Sequence, residues 1–231
     1  MSSESAFEKR LTEETKMDKV EGVLEHFNLP PKLIDYIRKN QRIIQVSIIA
    51  VFSLVVFFSL YSSYREGVVE KAASALSVAM DKPDGERAKS LTLVVDEFGS
   101  TDSALWAKIE LAHLDMENGE YSSAAKKYMG VLSEVKESSP LNSLLLFGSG
   151  QAFEADKKYS EAAAQYNLLK EIPGYEQIGF SGLARIEETQ GNFEKALAIF
   201  NNFLLNVGDD PSASQARTEI QSRIARLKGK M

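Results

Sequence analysis

Gly119-Glu120-Tyr121-Ser122-Ser123-Ala124, preceded by Leu111-Ala112 and followed by Tyr128, recurs twice further along the chain. The second copy is Gly150 and Phe153, then Tyr159-Ser160-Glu161-Ala162, then Tyr166. The third is Leu183-Ala184, then Gly191-Asn192-Phe193-Glu194-Lys195-Ala196, then Phe200. The aromatic that opens each motif advances from Tyr121 to Tyr159 to Phe193, by 38 and then 34 residues. A small residue (Ala112, Gly150, Ala184) lets the two helices of a pair approach closely, and a second (Ala124, Ala162, Ala196) does so from the partner helix. Tyr128, Tyr166 and Phe200 follow those alanines by one helical turn, on the same face, and wedge between successive pairs. Gly119 and Gly191 supply permissive backbone at the turn within each pair, where the middle unit has Lys157.

This period and pattern resemble the tetratricopeptide repeat, whose unit is a pair of antiparallel helices. Flanking segments extend the stack. Gly67 to Met80 and Ala88 to Phe98 read as a degenerate first pair separated by the breaker Lys82-Pro83-Asp84-Gly85. Ser212 to Leu227 sets Ala216, Ile220, Ile224 and Leu227 on one face and bases on the other, as a polar-backed cap on a solenoid does. The expected fold is all-α, with a repeat solenoid over residues 65–231 and no strand.

Upstream, Ile43 to Tyr64 carries no charged side chain. At about 1.5 Å rise per residue these positions cover roughly 33 Å, enough for one membrane-spanning helix. A cleavable signal peptide has a shorter apolar region close to the chain start and a small-residue cleavage site. A buried core helix would keep a polar face, and Phe52, Val55, Val56, Phe57 and Phe58 leave none. Tyr61 and Tyr64 stand at the level of an aromatic belt. Arg38, Lys39 and Arg42 precede the run and only Arg65 follows it closely, which predicts a cytoplasmic N-terminus and an outward-facing body.

Residues 1–42 form a separate head. Met17, Val20, Leu24 and Phe27 share a helical stripe, Asn28-Leu29-Pro30-Pro31 ends it, and a second helix starts at Pro31 and runs through Leu33, Ile34 and Ile37. The reading leaves two roles open, a helical hairpin at the membrane or a docking element for a cytoplasmic partner.

The formal net charge of −6 lies wholly downstream of the head, which holds eight bases and eight acids. Such a body repels phosphate backbones, so nucleic acid is not an expected partner. With no cysteine, thiol catalysis and zinc–thiolate sites are excluded. His26 and His113 fall on opposite sides of the expected membrane, and no phosphate loop, nucleophile elbow or H-E-x-x-H helix is present. The chain is therefore expected to be no enzyme, with no cofactor, metal or small-molecule substrate.

The combined layout resembles a family of bacterial inner-membrane proteins with one N-terminal anchor and a tetratricopeptide-like periplasmic domain, typified by the ancillary subunit of the Sec translocon. The resemblance runs from about Leu33 to the C-terminus, through the basic approach Ile37-Arg38-Lys39-Asn40, one span, an alanine-rich helical pair and the repeats. It implies a non-enzymatic role beside the export channel, with translocon subunits, exported polypeptides or periplasmic chaperones as partners. The alternative is a structural subunit of an envelope assembly, such as a secretion, division or cell-wall machine, with one fixed partner.

The repeat register points Trp106, Ile109, His113 and Met116, then Leu144, Phe147 and Gln151, then Ile178 and Arg185, into the concave side of the stack. Chaperone co-factors that the repeats resemble clamp a free C-terminal carboxylate through a lysine and an asparagine; here those positions hold Ile109 and His113, so the clamp is missing. Extended apolar segments are therefore the expected ligands, either in an open groove or in one covered by the first helix pair or a second copy.

Overall fold

The computed structural model describes residues 39–208 and 210–231, together with Lys32, Tyr36 and Ile37. The stripe from Met17 to Phe27, the proline-terminated turn and the start of the second helix lie outside the described residues. Among the described residues there are nine α-helices and no strand. By internal contacts the chain divides into a unit ending at Arg65 and a unit of Glu66–Met231.

The first helix, α1 (Gln41–Met80), is long and apolar enough to cross a membrane. Among the described residues its apolar stretch is bare: Phe52 is 69% exposed, and Phe57 and Phe58 are each 63% exposed. Apolar surface of this extent costs free energy against water and none against hydrocarbon, which fits a helix long enough to span a bilayer. The sequence reading starts a fresh helix at Gly67, but α1 runs through Gly67 unbroken. A glycine costs a helix interior only about 1 kcal/mol and does not end it without a proline or a capping turn.

In the second unit, α1 buries Ala72 and Ala79. There α2 (Asp84–Phe98) contributes Leu91 and Val94, and α3 (Asp102–Glu117) contributes Ala107 and Leu114. The helix expected from Ala88 begins at Asp84 instead. Pro83 is extended (φ −62, ψ 153), and its carbonyl accepts the amides of Glu86 and Arg87, each at 2.9 Å, so the expected breaker is the helix entry.

Three complete pairs follow in the order the sequence repeats. They are α3 with α4 (Tyr121–Glu134), α5 (Pro140–Ala155) with α6 (Tyr159–Leu169), and α7 (Glu176–Thr189) with α8 (Phe193–Val207). A single 3₁₀ turn, Pro211–Ala213, leads into α9 (Ser214–Lys228), which buries Ile220, Ile224 and Leu227 against Phe200 and Phe203. Its other face is polar, so it closes the stack without leaving an apolar end.

The turns inside the pairs share one geometry. Gly119 (φ 76) and Gly191 (φ 78) are left-handed, and so is Lys157 (φ 60) in the middle unit. The residue after each sends its amide back to the fifth carbonyl before it: Glu120 to Asp115, Lys158 to Phe153 and Asn192 to Glu187, each at 2.8 Å. These are Schellman turns, which satisfy carbonyls that a helix end leaves open.

The wedge residues sit where the repeat logic puts them. Tyr128, Tyr166 and Phe200 are buried, as are Ala112, Ala124, Ala162, Ala184 and Ala196.

Candidate peptide-binding groove

The first helices α3, α5 and α7, with α9 after them, present one face of the stack. On this face Trp106 is 40% exposed and Ile178 37% exposed. Gln151 is exposed, and His113, Met116, Leu144, Phe147 and Arg185 are half-buried. Ile109 is the correction. It is fully buried, in one cluster with Ala112, Tyr128 and Leu145, because its side chain points into the packing between α3, α4 and α5 rather than to solvent. It belongs to the core and offers no groove surface.

Two cavities lie on this face. One, of about 510 Å³, is lined by Met116, Tyr121, Gln151, Glu154, Ala155, Tyr159, Arg185 and Thr189. The other, of about 290 Å³, is lined by Phe147, Gln177, Ile178, Ser181, Arg185, Glu219 and Arg223. Of the expected groove residues, the first cavity collects Met116, Gln151 and Arg185, and the second Phe147, Ile178 and Arg185. Trp106, His113 and Leu144 line neither. His113 packs against the Tyr128 ring, 5.7 Å between centroids. A third cavity of about 710 Å³, which shares Gln177 with the second, lies over Phe180 and Phe203 with Lys170, Asn202 and Asp210 around it.

Between the two groove cavities runs a polar network that no single motif announces. Arg185 on α7 donates from Nε to Glu154 Oε1 (2.6 Å) and from Nη2 to Glu154 Oε2 (2.7 Å) on α5. Tyr166 on α6 donates its hydroxyl to Glu154 Oε2 (2.8 Å) and accepts from Arg185 Nη2 (2.9 Å). The bidentate pairing suits the planar guanidinium. Burial, and then the Glu154 charge, push the Tyr166 hydroxyl far above its ordinary titration range. The bonds to Glu154 hold Arg185 charged. At the groove's end, Glu219 on α9 accepts from Arg223 Nη2 and from Gln177 Nε2, each at 2.7 Å, and these bonds lower its pKa.

Sequence reasoning placed Arg185 inward but missed its partner. The signal was available: Glu154 follows Gln151 by three residues, so a helix that turns Gln151 into the groove brings Glu154 round one turn later. Tyr121 and Tyr159, which open the repeat motif in sequence, are also walls of the cavity of about 510 Å³.

Among the described residues no group of three or more histidines, cysteines and acids is placed to hold a metal ion.

A tetratricopeptide repeat family model matches residues 109–176, from within α3 to the start of α7. Two crystal structures described as a Podosopora anserina kinesin light chain with nearly identical TPR-like repeats are similar, at 19% and 18% identity. Each comparison covers 71% of this chain and 85% of that one, with a TM-score of 0.50. The helical pairs are tetratricopeptide-like repeats. At such identities the structural likeness speaks for the fold alone. No curated protein matches the chain. Repeats of this kind build protein-interaction scaffolds, since stacked pairs create an extended concave surface.

Proposed function

We propose that the chain is a membrane-anchored, chaperone-like adaptor that works beside a bacterial protein-export channel and holds extended or unfolded polypeptides in its groove. In this reading α1 anchors it in the inner membrane, the N-terminus is cytoplasmic and the repeats are periplasmic. It acts by binding, without catalysis or cofactor. The observation that carries the proposal is the series of solvent-reaching apolar side chains, Trp106, Phe147 and Ile178, one on each successive first helix. A row of this kind along a concave surface suits apolar residues of an unfolded chain better than a small ligand.

Crosslinking in intact membranes tests it. A spread of unrelated exported chains is the expected result, and one stoichiometric folded partner would replace it with the envelope-assembly reading. The paired charges Glu154–Arg185 and Glu219–Arg223 favour that second reading, because they fix the groove's polar surface in one arrangement. Topology has its own test. Protease added from the periplasmic side should destroy the repeats and leave residues 1–42 protected with the span, and digestion of the head instead would reverse the orientation.

A further inference from the structure

The groove cavity of about 510 Å³ draws its walls from three successive units of the stack. Met116 near the end of α3 and Tyr121 at the start of α4 come from the first, Gln151, Glu154 and Tyr159 from the second, and Arg185 from the third. Met116 and Tyr159 also lean on the buried clusters behind them, so a sulfur and one ring are held in place by packing.

The charged members of this lining are Glu154 and Arg185, and they are bonded to each other, Nε to Oε1 at 2.6 Å and Nη2 to Oε2 at 2.7 Å. A guest acid would meet Glu154 and a guest base Arg185, so neither recovers what its charge loses on leaving water. The lining suits a neutral guest. Within the pair, the Glu154 side chain is 15% exposed and that of Arg185 43% exposed, so the surface a guest meets is the cation. That guanidinium already serves one ring, its central carbon 5.7 Å from the centre of Tyr166. The uncharged surface that complements a cation is the negative face of an aromatic ring. The methionine sulfur and the Tyr121 and Tyr159 rings add contacts that favour an aromatic guest over an aliphatic one of equal size.

Resting on the reading that the groove holds extended polypeptide, we infer that this cavity is an aromatic-selective pocket, which takes one phenylalanine, tyrosine or tryptophan side chain of the bound chain. Gln151, exposed in the same lining, offers the donor and the acceptor that the guest's own peptide group needs. Folded proteins mostly bury their phenylalanine side chains, so such a pocket favours chains that have not folded.

The test titrates the full chain in lipid nanodiscs, by calorimetry, with three end-blocked peptides. The first is Gly-Ser-Gly-Phe-Gly-Ser-Gly, and the others carry cyclohexylalanine or glutamate in place of phenylalanine. The phenylalanine peptide is expected to bind several-fold tighter than the cyclohexylalanine one, although cyclohexylalanine is the more apolar side chain, and the glutamate peptide is expected to bind weakest. Tyr121→Leu keeps apolar bulk in the wall and removes its ring, so it should bring the first two affinities together by weakening the phenylalanine peptide. Should that variant melt early, isotope-labelled methionine methyls on the unaltered chain decide: the phenylalanine ring current should move the Met116 methyl resonance and cyclohexylalanine should not, with Met116→Leu assigning the signal. Equal affinity for the first two peptides, or a Met116 methyl that both move alike, would overturn the pocket and leave the groove reading intact. Tightest binding of the glutamate peptide would also overturn it, since Arg185 would then be an anion site. If the phenylalanine peptide fails to bind at millimolar concentration while a permanently unfolded polypeptide still shifts the Trp106 emission, the pocket alone falls. If neither binds, the groove reading falls with it.

Discussion

The ring of Tyr166 lies so close to Gly150 that a β-carbon on that glycine would stand 2.8 Å from the tyrosine Cε1, and one on Gly182 would stand 2.6 Å from the ring on its other side. The ring thus fills a slot that α5 and α7 leave by having no side chain there. Gly150→Ala is expected to cost about 1–3 kcal/mol through overpacking, despite alanine's better helix propensity. Urea unfolding reads it as a lower midpoint at unchanged slope. Gly85→Ala on α2 is the control, since its β-carbon would meet nothing within 4 Å, and it should stabilise. If Gly150→Ala also stabilises, the slot is not tight.

Lys157 holds a φ of 60 in a turn whose counterparts are Gly119 and Gly191. A left-handed residue with a β-carbon costs about 1–2 kcal/mol, and glycine gives back part of that through its extra freedom when unfolded. Lys157→Gly should therefore raise stability by about 0.5–1 kcal/mol, and Gly119→Lys should lower it by a similar amount. Chemical denaturation of the two variants checks both signs.

Burial raises the hydroxyl pKa of both Tyr128 and Tyr166 from the ordinary 10.0, with nearby carboxylates adding to the shift. Above that value the unfolded chain has released these protons and the folded chain still holds them. Stability should then fall as the pH rises through about 10 and beyond, because the folded state is the one binding more protons. Tyr166→Phe should flatten the fall in a series of denaturation midpoints at increasing pH, since lysine titration is common to both proteins. An identical slope would mean that Tyr166 ionises as freely when folded as when unfolded.

The repeats were legible because their signal is periodic and steric. Alanine and an aromatic four residues later do one job each in every unit, with a turn glycine in two units and Lys157 in the middle one, and Tyr128, Tyr166 and Phe200 are buried where that spacing puts them. The groove was less legible. A helical stripe says which way a side chain leaves its own helix but not how near the next helix stands, which is why Ile109 was assigned to the groove and lies in the core. The Glu154–Arg185 bridge joins residues on different helices; the spacing from Gln151 turns Glu154 into the groove but does not say which residue of α7 it meets. At the entry to α2, Pro83 and Gly85 have the look of a breaker in sequence, although a proline just before a first turn starts a helix as readily as it ends one.

Phe147 offers the sharpest test of whether the groove is a binding surface. It is half-buried, leaning on the cluster of Leu146, Tyr166 and Leu169 while also lining the smaller cavity. Trp106, the only tryptophan of the chain, is 40% exposed on the same series of helices, so its emission reports on ligand in the groove. Titrating the full chain with a permanently unfolded polypeptide should shift that emission. Phe147→Asp should abolish the shift, because each buried apolar side chain of a ligand contributes at most about 1.5–3 kcal/mol and a carboxylate in the groove removes that gain, with a lower melting temperature from the lost core packing but helicity retained. Ile178→Asp, at a more exposed position, should act the same way with less risk to the core. If Phe147→Asp unfolds the repeats and Ile178→Asp leaves the emission shift untouched, these side chains serve packing and the groove is not where polypeptides bind.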